Sequence, residues 1–347
     1  MANSSKFLAS LPLIPFAIVV FVHLISSLGP WMEPIQAACK NPELAAQQGI
    51  RTIYTDVAPI DGFLCWIVPF FQESLKTPAA FVVHCYLYTV ANTYFGLAAM
   101  EGSRASLSKT IISWVPLFGL IGQFIGISVA VPLLWIPLYA YKSSRLPTPN
   151  HAVLPARALA IPISLLIGAV SVEYNILFPS SPRAQQNAVA LFQPCVAFPT
   201  IIAFVLTPLF NFVTPSSLSR RTAARTAYAS IALANLAIHV YLLAYAREHQ
   251  VDWAALRSLL DVPSAIVSSS RTFANSIEQG QTLCSHFLFV DTIVLALSLV
   301  YWVALESGVV PAVLTLLASF VVGPGAALPA YAIWREGELE NVEKKDV

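Results

Sequence analysis

Four acidic side chains lie inside or at the edges of long apolar stretches: Asp61, Glu101, Glu173 and Asp291. An ionised carboxylate in hydrocarbon costs at least about 2 to 3 kcal/mol, so an acid held there is usually paired, protonated or in use. Two carboxyls at one depth can divide the roles, one neutral and able to donate a proton near pH 7. These four acids are therefore the candidate catalytic residues.

Glu173 and Asp291 are the first candidates for a proton donor. Glu173 stands in Ser-Val-Glu-Tyr-Asn, which is densely polar for the middle of a membrane span, whereas Asp291 follows the wholly apolar Phe-Leu-Phe-Val. The other two acids have structural alternatives. Asp61 could cap the start of a helix, and Glu101 could form an interface ion pair with the nearby Arg104.

Polar and aromatic side chains complete the candidate site. His84, Tyr88 and Asn92 recur every four residues, so they share one face of a helix that leads towards Phe95. Hydrogen bonding between helices is the alternative explanation. Aromatic faces stabilise cations, and could do so for a carbocation. The predicted substrate-binding residues are His239, Asn235, Tyr174, Asn175, Trp66, Tyr88, Asn92 and Phe95.

The composition is that of a polytopic membrane protein. Hydrophobic residues make up 57% of the 347 residues and charged residues 11%, far from the roughly one-quarter charged composition of a soluble domain. The net charge is +1 and no basic run exceeds a pair, so nucleic acid is not an expected partner. The five cysteines are scattered, which favours small core residues over disulfides or metal ligands.

The chain is predicted to be all-α, a single helical bundle spanning residues 1–347 with about nine transmembrane helices. Apolar windows near the length of a membrane span define them. They cover residues 8–28, 58–72, 79–99, 111–141, 157–178, 190–212, 224–246, 285–305 and 309–332. The first is predicted to be a retained helix. The second is short enough to be re-entrant and the fourth is broken by prolines, so eight or ten spans remain possible. A surface helix is expected around residues 253–260.

The C-terminal residues predict an orientation. Lys344 and Lys345 stand three and four places from the carboxyl end, as in the dilysine retrieval signal read on the cytosolic side of early secretory membranes. This favours the endoplasmic reticulum, with residues 333–347 as a cytosolic tail. Nine spans would then place the N-terminus in the lumen and the four acids at one depth near the cytosolic face. Arg220, Arg221 and Arg225 argue against this orientation.

Several membrane enzyme classes lack support. The six histidines form no HxxxH or HxxHH box, and no HExxH, GxSxG, Gly-rich phosphate loop or DDxxD sequence occurs. No metal or cofactor is therefore expected. The remaining chemistry is general acid or base catalysis by desolvated carboxylic acids on an apolar, membrane-dissolved molecule.

Three short sequences carry a resemblance to a known family. They are Tyr-Thr-Asp-Val-Ala-Pro-Ile-Asp-Gly-Phe at 54–63, Tyr-Phe-Gly-Leu-Ala-Ala-Met-Glu-Gly at 94–102 and Val-Glu-Tyr-Asn at 172–175. With the span pattern, they make the chain resemble fungal membrane-bound terpene cyclases of meroterpenoid pathways, of the ascofuranone and ascochlorin type. The resemblance implies protonation of an epoxide or olefin on a farnesyl chain attached to an aromatic or polyketide ring. It implies no metal and no cofactor.

Two other functions remain open. A proton-coupled transporter or exporter of a small hydrophobic molecule would use the same acids as a proton relay. A structural or receptor-like membrane protein would use them for polar packing. The expected partners are a small hydrophobic prenylated substrate and the lipid bilayer; the oligomeric state is left open.

Overall fold

The computed structural model describes residues 3–144, 151–260 and 273–345, and these ranges contain helices and connecting turns but no strand. The first eight helices are α1 (Asn3–Ser10), α2 (Leu13–Cys39), α3 (Pro42–Gln47), α4 (Ala58–Glu73), α5 (Pro78–Gly102), α6 (Val115–Ile125), α7 (Ile127–Ala130) and α8 (Ile136–Ser144). The others are α9 (Pro155–Leu165), α10 (Ser171–Leu177), α11 (Pro182–Cys195), α12 (Phe198–Val213), α13 (Arg220–Glu248), α14 (Trp253–Ser258), α15 (Phe273–Ser307), α16 (Val309–Val322) and α17 (Pro324–Lys345). Two π-helical segments, Val131–Trp135 and Leu166–Val170, join α7 to α8 and α9 to α10.

Among the described residues, four helices are long and apolar enough to cross a membrane by length and composition. They are Ser5–Cys39, Pro155–Leu177, Arg220–Glu248 and Gly280–Ser307. A fifth span exists if α11 and α12, which meet at a bend of 67°, count as one. The all-helical class is confirmed, and four or five of the described helices are candidate membrane spans, whereas nine spans are not confirmed.

Ion pairs identify one end of the bundle, which we call the charged end. Glu306 pairs there with Lys6, 3.1 Å away, and with Arg335. Helix α1, which contains Lys6, therefore lies at the end of the bundle where α15 finishes. Arg335 places the middle of α17 at this same end. The prediction that the two termini lie on opposite faces is wrong. Helix α17 continues as far as Lys345, and Asp346 and Val347, the last two residues of the dilysine signal, lie outside the described residues.

The predicted fourth span, residues 111–141, is a helical hairpin that enters from the charged end. Its start lies against the end of α5, because a Cβ added to Gly102 would meet the Ile112 carbonyl oxygen at 2.8 Å. Its finish returns there, where Tyr139 OH donates to Glu101 at 3.1 Å. Between these points the chain reverses at Gly126, whose φ of +92° is open to glycine at little cost. A single crossing was therefore the wrong interpretation of this apolar run.

The predicted ninth span, 309–332, is a second hairpin made of α16 and α17. Its start and its return meet at the charged end, where Ser307 Oγ and Tyr331 OH lie 2.7 Å apart. Its tip is Gly323, with φ +81°, which lies against the His239 ring. Helix α16 has 14 residues, about 21 Å at 1.5 Å per residue, so this arm is shorter than the hydrocarbon core.

We expect Gly323→Ala to destabilise the protein by about 2 kcal/mol or more. A Cβ there would lie 2.9 Å from His239 Nδ1 and would force a side chain into a left-handed backbone conformation. Gly337→Ala, inside α17 and with nothing within 4 Å of the added Cβ, is the control and should be neutral or slightly stabilising. Thermal unfolding in detergent measures both. Equal melting temperatures would show that the tip does not depend on glycine.

The opposite end of the bundle carries a disulfide between Cys39 and Cys65, and we call it the disulfide end. This bond joins the last residue of α2 to α4 and encloses the loop that contains α3. The interpretation of all five cysteines as small core residues is therefore wrong for this pair, whereas Cys85, Cys195 and Cys284 are buried and free. Cys39 and Cys65 are 26 residues apart, so they form no short cysteine motif by which the sequence could have indicated the pairing.

Candidate functional site

Glu173 and Asp291 both line one cavity within the bundle, of which about 110 Å³ is accessible to the centre of a water molecule. Its wall is mostly apolar and rich in rings, so we call it the aromatic cavity. The rings belong to Trp66, Phe70, Phe71, Tyr88, Phe95, Phe124, Phe192 and Phe287. The structure therefore brings two of the four predicted acids, with Trp66, Tyr88 and Phe95, to a single apolar chamber.

Glu173 is positioned by α10 and by the π-helical segment that precedes it. Its side chain is 6% exposed, and its Oε2 accepts a 2.7 Å hydrogen bond from Asn92 Nδ2 on α5. Among the described residues, Asn92 is the one hydrogen-bond donor to this carboxyl. Tyr88, one turn before Asn92, has a buried hydroxyl with no hydrogen-bond partner in the described part of the chain. Oε2 of Glu173 is thus held by Asn92, whereas Oε1 accepts no hydrogen bond from the described residues. The unbonded Tyr88 hydroxyl belongs to the same cavity wall.

Asp291 is held by the tip of the first hairpin. Its Oδ1 accepts a 3.0 Å hydrogen bond from the backbone N–H of Ser128 and another from the Ser128 hydroxyl. Ser128 lies in the first turn of α7, directly after the reversal at Gly126. The carboxyl therefore satisfies a free N–H group at a helix start inside the bundle, where water is scarce. Asp291 anchors the hairpin tip and borders the cavity at once.

A second cavity, of which about 300 Å³ is accessible to the centre of a water molecule, lies on the other side of Glu173. It shares Glu173 and Tyr88 with the first, and Asn92, Asn235 and Tyr174 also line it. Its remaining wall is mainly aliphatic, so we call it the aliphatic cavity. On α5, His84 Nδ1 lies 3.2 Å from Oγ of Ser74, the residue that follows α4, whereas Tyr88 and Asn92 border the second cavity.

Glu101 does not reach either cavity. It lies at the charged end, 0% exposed, and receives hydrogen bonds from Arg104, Arg335 and Tyr139 at 2.7 to 3.1 Å. The alternative prediction, an ion pair with Arg104, is confirmed. Glu336 extends this cluster through Arg104 at 2.5 Å. Because Glu101 is at one end of the bundle, the prediction of a single depth for all four acids is wrong.

Asp61 lies towards the disulfide end and binds the loop that precedes its own helix. Its Oδ1 accepts from the backbone N–H groups of Tyr54 and Thr55 at 3.0 and 2.8 Å and from the Thr55 hydroxyl at 2.9 Å. It stands in the first turn of α4, whose N-cap is Val57. Asp61 therefore holds a loop; it is not the N-cap and it lines neither cavity.

Three predicted substrate-binding residues occupy other surroundings. His239 lies 2.7 Å from Tyr86 OH through Nδ1 and supports the second hairpin tip. Asn235 donates to Thr93 and to the Gly325 carbonyl, both at 2.9 Å, so it ties the same hairpin to α5 and α13. Asn175 is exposed and donates to the Ser171 carbonyl of its own helix. Of these, only Asn235 also borders a cavity.

The sequence did not single out Gly126 or Ser128, because neither stands out within a long apolar run. Phe287 was detectable in principle, since it lies four residues before Asp291 and so on the same helix face. Among the described residues, no group of three or more His, Cys, Asp or Glu side chains lies close enough to hold a metal ion. The cavity offers Glu173 with one unbonded oxygen, the second carboxyl of Asp291 and aromatic walls. This combination suits proton transfer to an apolar molecule bound in the cavity.

The family model of the CtvD domain matches residues 5–339, which is nearly the whole chain. Searches of the curated proteins and of the solved structures found no similar protein. The chain therefore belongs to the CtvD domain family.

Proposed function

We propose that this member of the CtvD domain family is an intramembrane terpene cyclase. Its substrate would be a farnesylated aromatic or polyketide, a meroterpenoid precursor of secondary metabolism, whose epoxide or olefin it protonates and cyclises without a metal. One observation carries the proposal: Glu173 and Asp291 border the same ring-lined apolar cavity. The resemblance to fungal meroterpenoid cyclases in the sequences around 54–63, 94–102 and 172–175 supports it.

Glu173 is the proposed proton donor. Its proton passes to the epoxide oxygen, the adjacent C–O bond breaks, and a hydroxyl and a tertiary carbocation form. A neighbouring alkene attacks the cation with its π electrons, and each new C–C bond moves the charge along the chain. Rings such as Phe95 and Phe192 stabilise this charge with their faces. Asn92 holds the carboxyl in place through its 2.7 Å hydrogen bond.

Asp291 is the proposed acceptor of the final proton. The last cation loses a proton from a neighbouring carbon, or a substrate hydroxyl traps the cation and releases its own proton. Either way the proton lost equals the proton donated, so the reaction is an isomerisation. Ser128 donates two hydrogen bonds to Oδ1 of Asp291 and so fixes this carboxyl at the cavity wall, where it is placed to accept the proton. Return of the proton to Glu173 closes the cycle.

Transport is the second candidate function, and the two hairpins favour it. Broken helices whose breaks lie inside the bundle are typical of ion and substrate sites in secondary transporters. Product analysis separates the two functions. Microsomes containing this chain alone, given a farnesylated phenol with a terminal epoxide, should form an isomeric cyclic product without added metal or energy source. An unchanged substrate that moves across the membrane only with a proton gradient would support transport.

We further propose that the protein lies in the endoplasmic reticulum membrane with the disulfide end in the lumen. Disulfides persist in oxidising compartments, so Cys39 and Cys65 favour this side. The charged end, with both termini, would then be cytosolic, as the dilysine prediction requires. Arg220, Arg221 and Arg225, which opposed the predicted orientation, now agree with it, since α13 starts at the charged end.

Glycosylation tests this orientation. An Asn-X-Thr acceptor placed in residues 40–57 should be glycosylated in an endoplasmic reticulum host, because glycan transfer occurs on the lumenal side. The matched control is the same acceptor placed in residues 105–110, at the charged end, which should stay unmodified. A glycan on the control and none on the first loop would reverse the orientation.

A further inference from the structure

The aliphatic cavity opens sideways between α10 and α13. Residues on its rim are exposed on the side of the bundle: Leu166 59%, Tyr174 59%, Phe178 46% and Tyr241 46%. Because α9–α10 and α13 are long and apolar enough to cross a membrane, we place this side against lipid. A molecule dissolved in the bilayer therefore meets the cavity without passing through water.

The opening has a local structural cause. Helix α9 packs along α13, but beyond the π-helical segment Leu166–Val170 the chain continues as α10, which packs on α11 instead. The two spans thus diverge towards the disulfide end. On α13, Ser230, Ala234, Ile238 and Tyr241 form one face towards the gap, at helical spacing. Small side chains at the first two positions leave room between the helices.

The opening between α10 and α13 leads to Glu173, the proposed proton donor. Glu173 and Tyr88 border the aliphatic cavity on one side and the aromatic cavity on the other. The polar groups on the aliphatic side are mostly bonded within the protein, since Ser230 Oγ donates to the Thr226 carbonyl at 2.9 Å and Asn235 donates to Thr93. A wall of this kind suits a hydrocarbon chain and offers little to a polar molecule.

Resting on the proposed function, we infer that the aliphatic cavity is the lateral entrance and holding site for the isoprenoid chain of the substrate, which reaches Glu173 from the bilayer between α10 and α13. The occupant is an isoprenoid because the cavity leads to the acid through a mostly aliphatic wall. A phospholipid acyl chain would occupy the same space without placing a reactive group at Glu173.

Photolabelling in phosphatidylcholine nanodiscs tests the inference independently of turnover. The probe is a farnesyl chain with a diazirine near its terminal double bond, and peptide mapping locates the label. We expect labelling within residues 162–178 and 230–241 and its loss on competition with unlabelled farnesyl chain. Ala234→Trp, which fills the cavity, should reduce the label several-fold. Leu233→Trp, on the lipid-facing side of the same helix, is the matched control and should not.

The outcomes separate the two proposals. Glu173→Gln should keep the label and lose the product, whereas a labelled wild type that forms no product would overturn the cyclase and leave the entrance intact. Equal labelling of the Ala234→Trp and Leu233→Trp variants would overturn the entrance. So would a label that excess farnesyl chain does not displace, because the probe would then report bulk lipid.

Discussion

Glu173→Gln should lower cyclisation by about 10²- to 10⁴-fold, the usual contribution of a positioned general acid. The amide keeps the size of the side chain and can still hydrogen-bond to Asn92, so the fold and substrate uptake should persist. What is lost is the transferable proton. Initial rates with a saturating epoxide substrate measure the effect, and it should appear in kcat more than in KM.

The matched control for Glu173→Gln is Asn175→Ala on the same helix. Asn175 is exposed, bonds only to the Ser171 carbonyl among the described residues and lines neither cavity. Its loss should leave the rate within about twofold of wild type, as for most exposed substitutions. If Glu173→Gln retained full activity at normal protein levels, Glu173 would not be the donor. Asp291→Asn would then be the decisive second variant.

Arg335→Met should destabilise the bundle by about 3 to 5 kcal/mol, the usual cost of removing one partner from a buried ion pair. Arg335 is 5% exposed, donates to Glu101 at 2.7 Å and also pairs with Glu306. Without it, two carboxylates lose a cation in a region with little water. Melting temperature in detergent and the monodisperse fraction on size exclusion measure the loss.

A control and a rescue make this prediction specific to charge. Lys6→Met also removes a cation from Glu306, but the Lys6 side chain is 38% exposed, so its loss should cost less than about 1 kcal/mol. The double variant Arg335→Met with Glu306→Gln removes one of the stranded carboxylates and should recover part of the stability. If the double variant were less stable than Arg335→Met, packing and not charge would explain the effect.

Helix class and the leading acids were predictable because their signals are local. Apolar windows identify membrane helices, and the four-residue spacing of Tyr88 and Asn92 placed both on one face, towards the acid on α10. Glu173 and Asp291 were singled out by the cost of burying charge, and the structure places both at one cavity. Their catalytic roles remain predictions.

The rest could not be predicted because it depends on where the chain reverses and on distant partners. Hydropathy cannot distinguish a helix that crosses from one that turns back at Gly126, since both are apolar throughout. Treating the two hairpins as single crossings then misplaced Glu101, whose partner Arg335 is 234 residues away in the sequence. Cys39 and Cys65 were missed for the same reason: pairing is decided by spatial proximity, which the spacing does not show.

The hairpin tip at Gly126 also bears on how the protein is made. The N–H group of Ser128 finds its acceptor in Asp291, which is 163 residues further along the chain and therefore leaves the ribosome much later. Until α15 arrives, an unsatisfied helix start would lie in hydrocarbon, at a cost of several kcal/mol. We therefore expect the first hairpin to reach its final position only after α15 has been made. The second hairpin follows its partners Thr93 and Asn235 in the chain, so both are made before it. Biogenesis would thus proceed from the long helices to the hairpins, and a chain truncated before α15 should be recognised as unfinished and degraded.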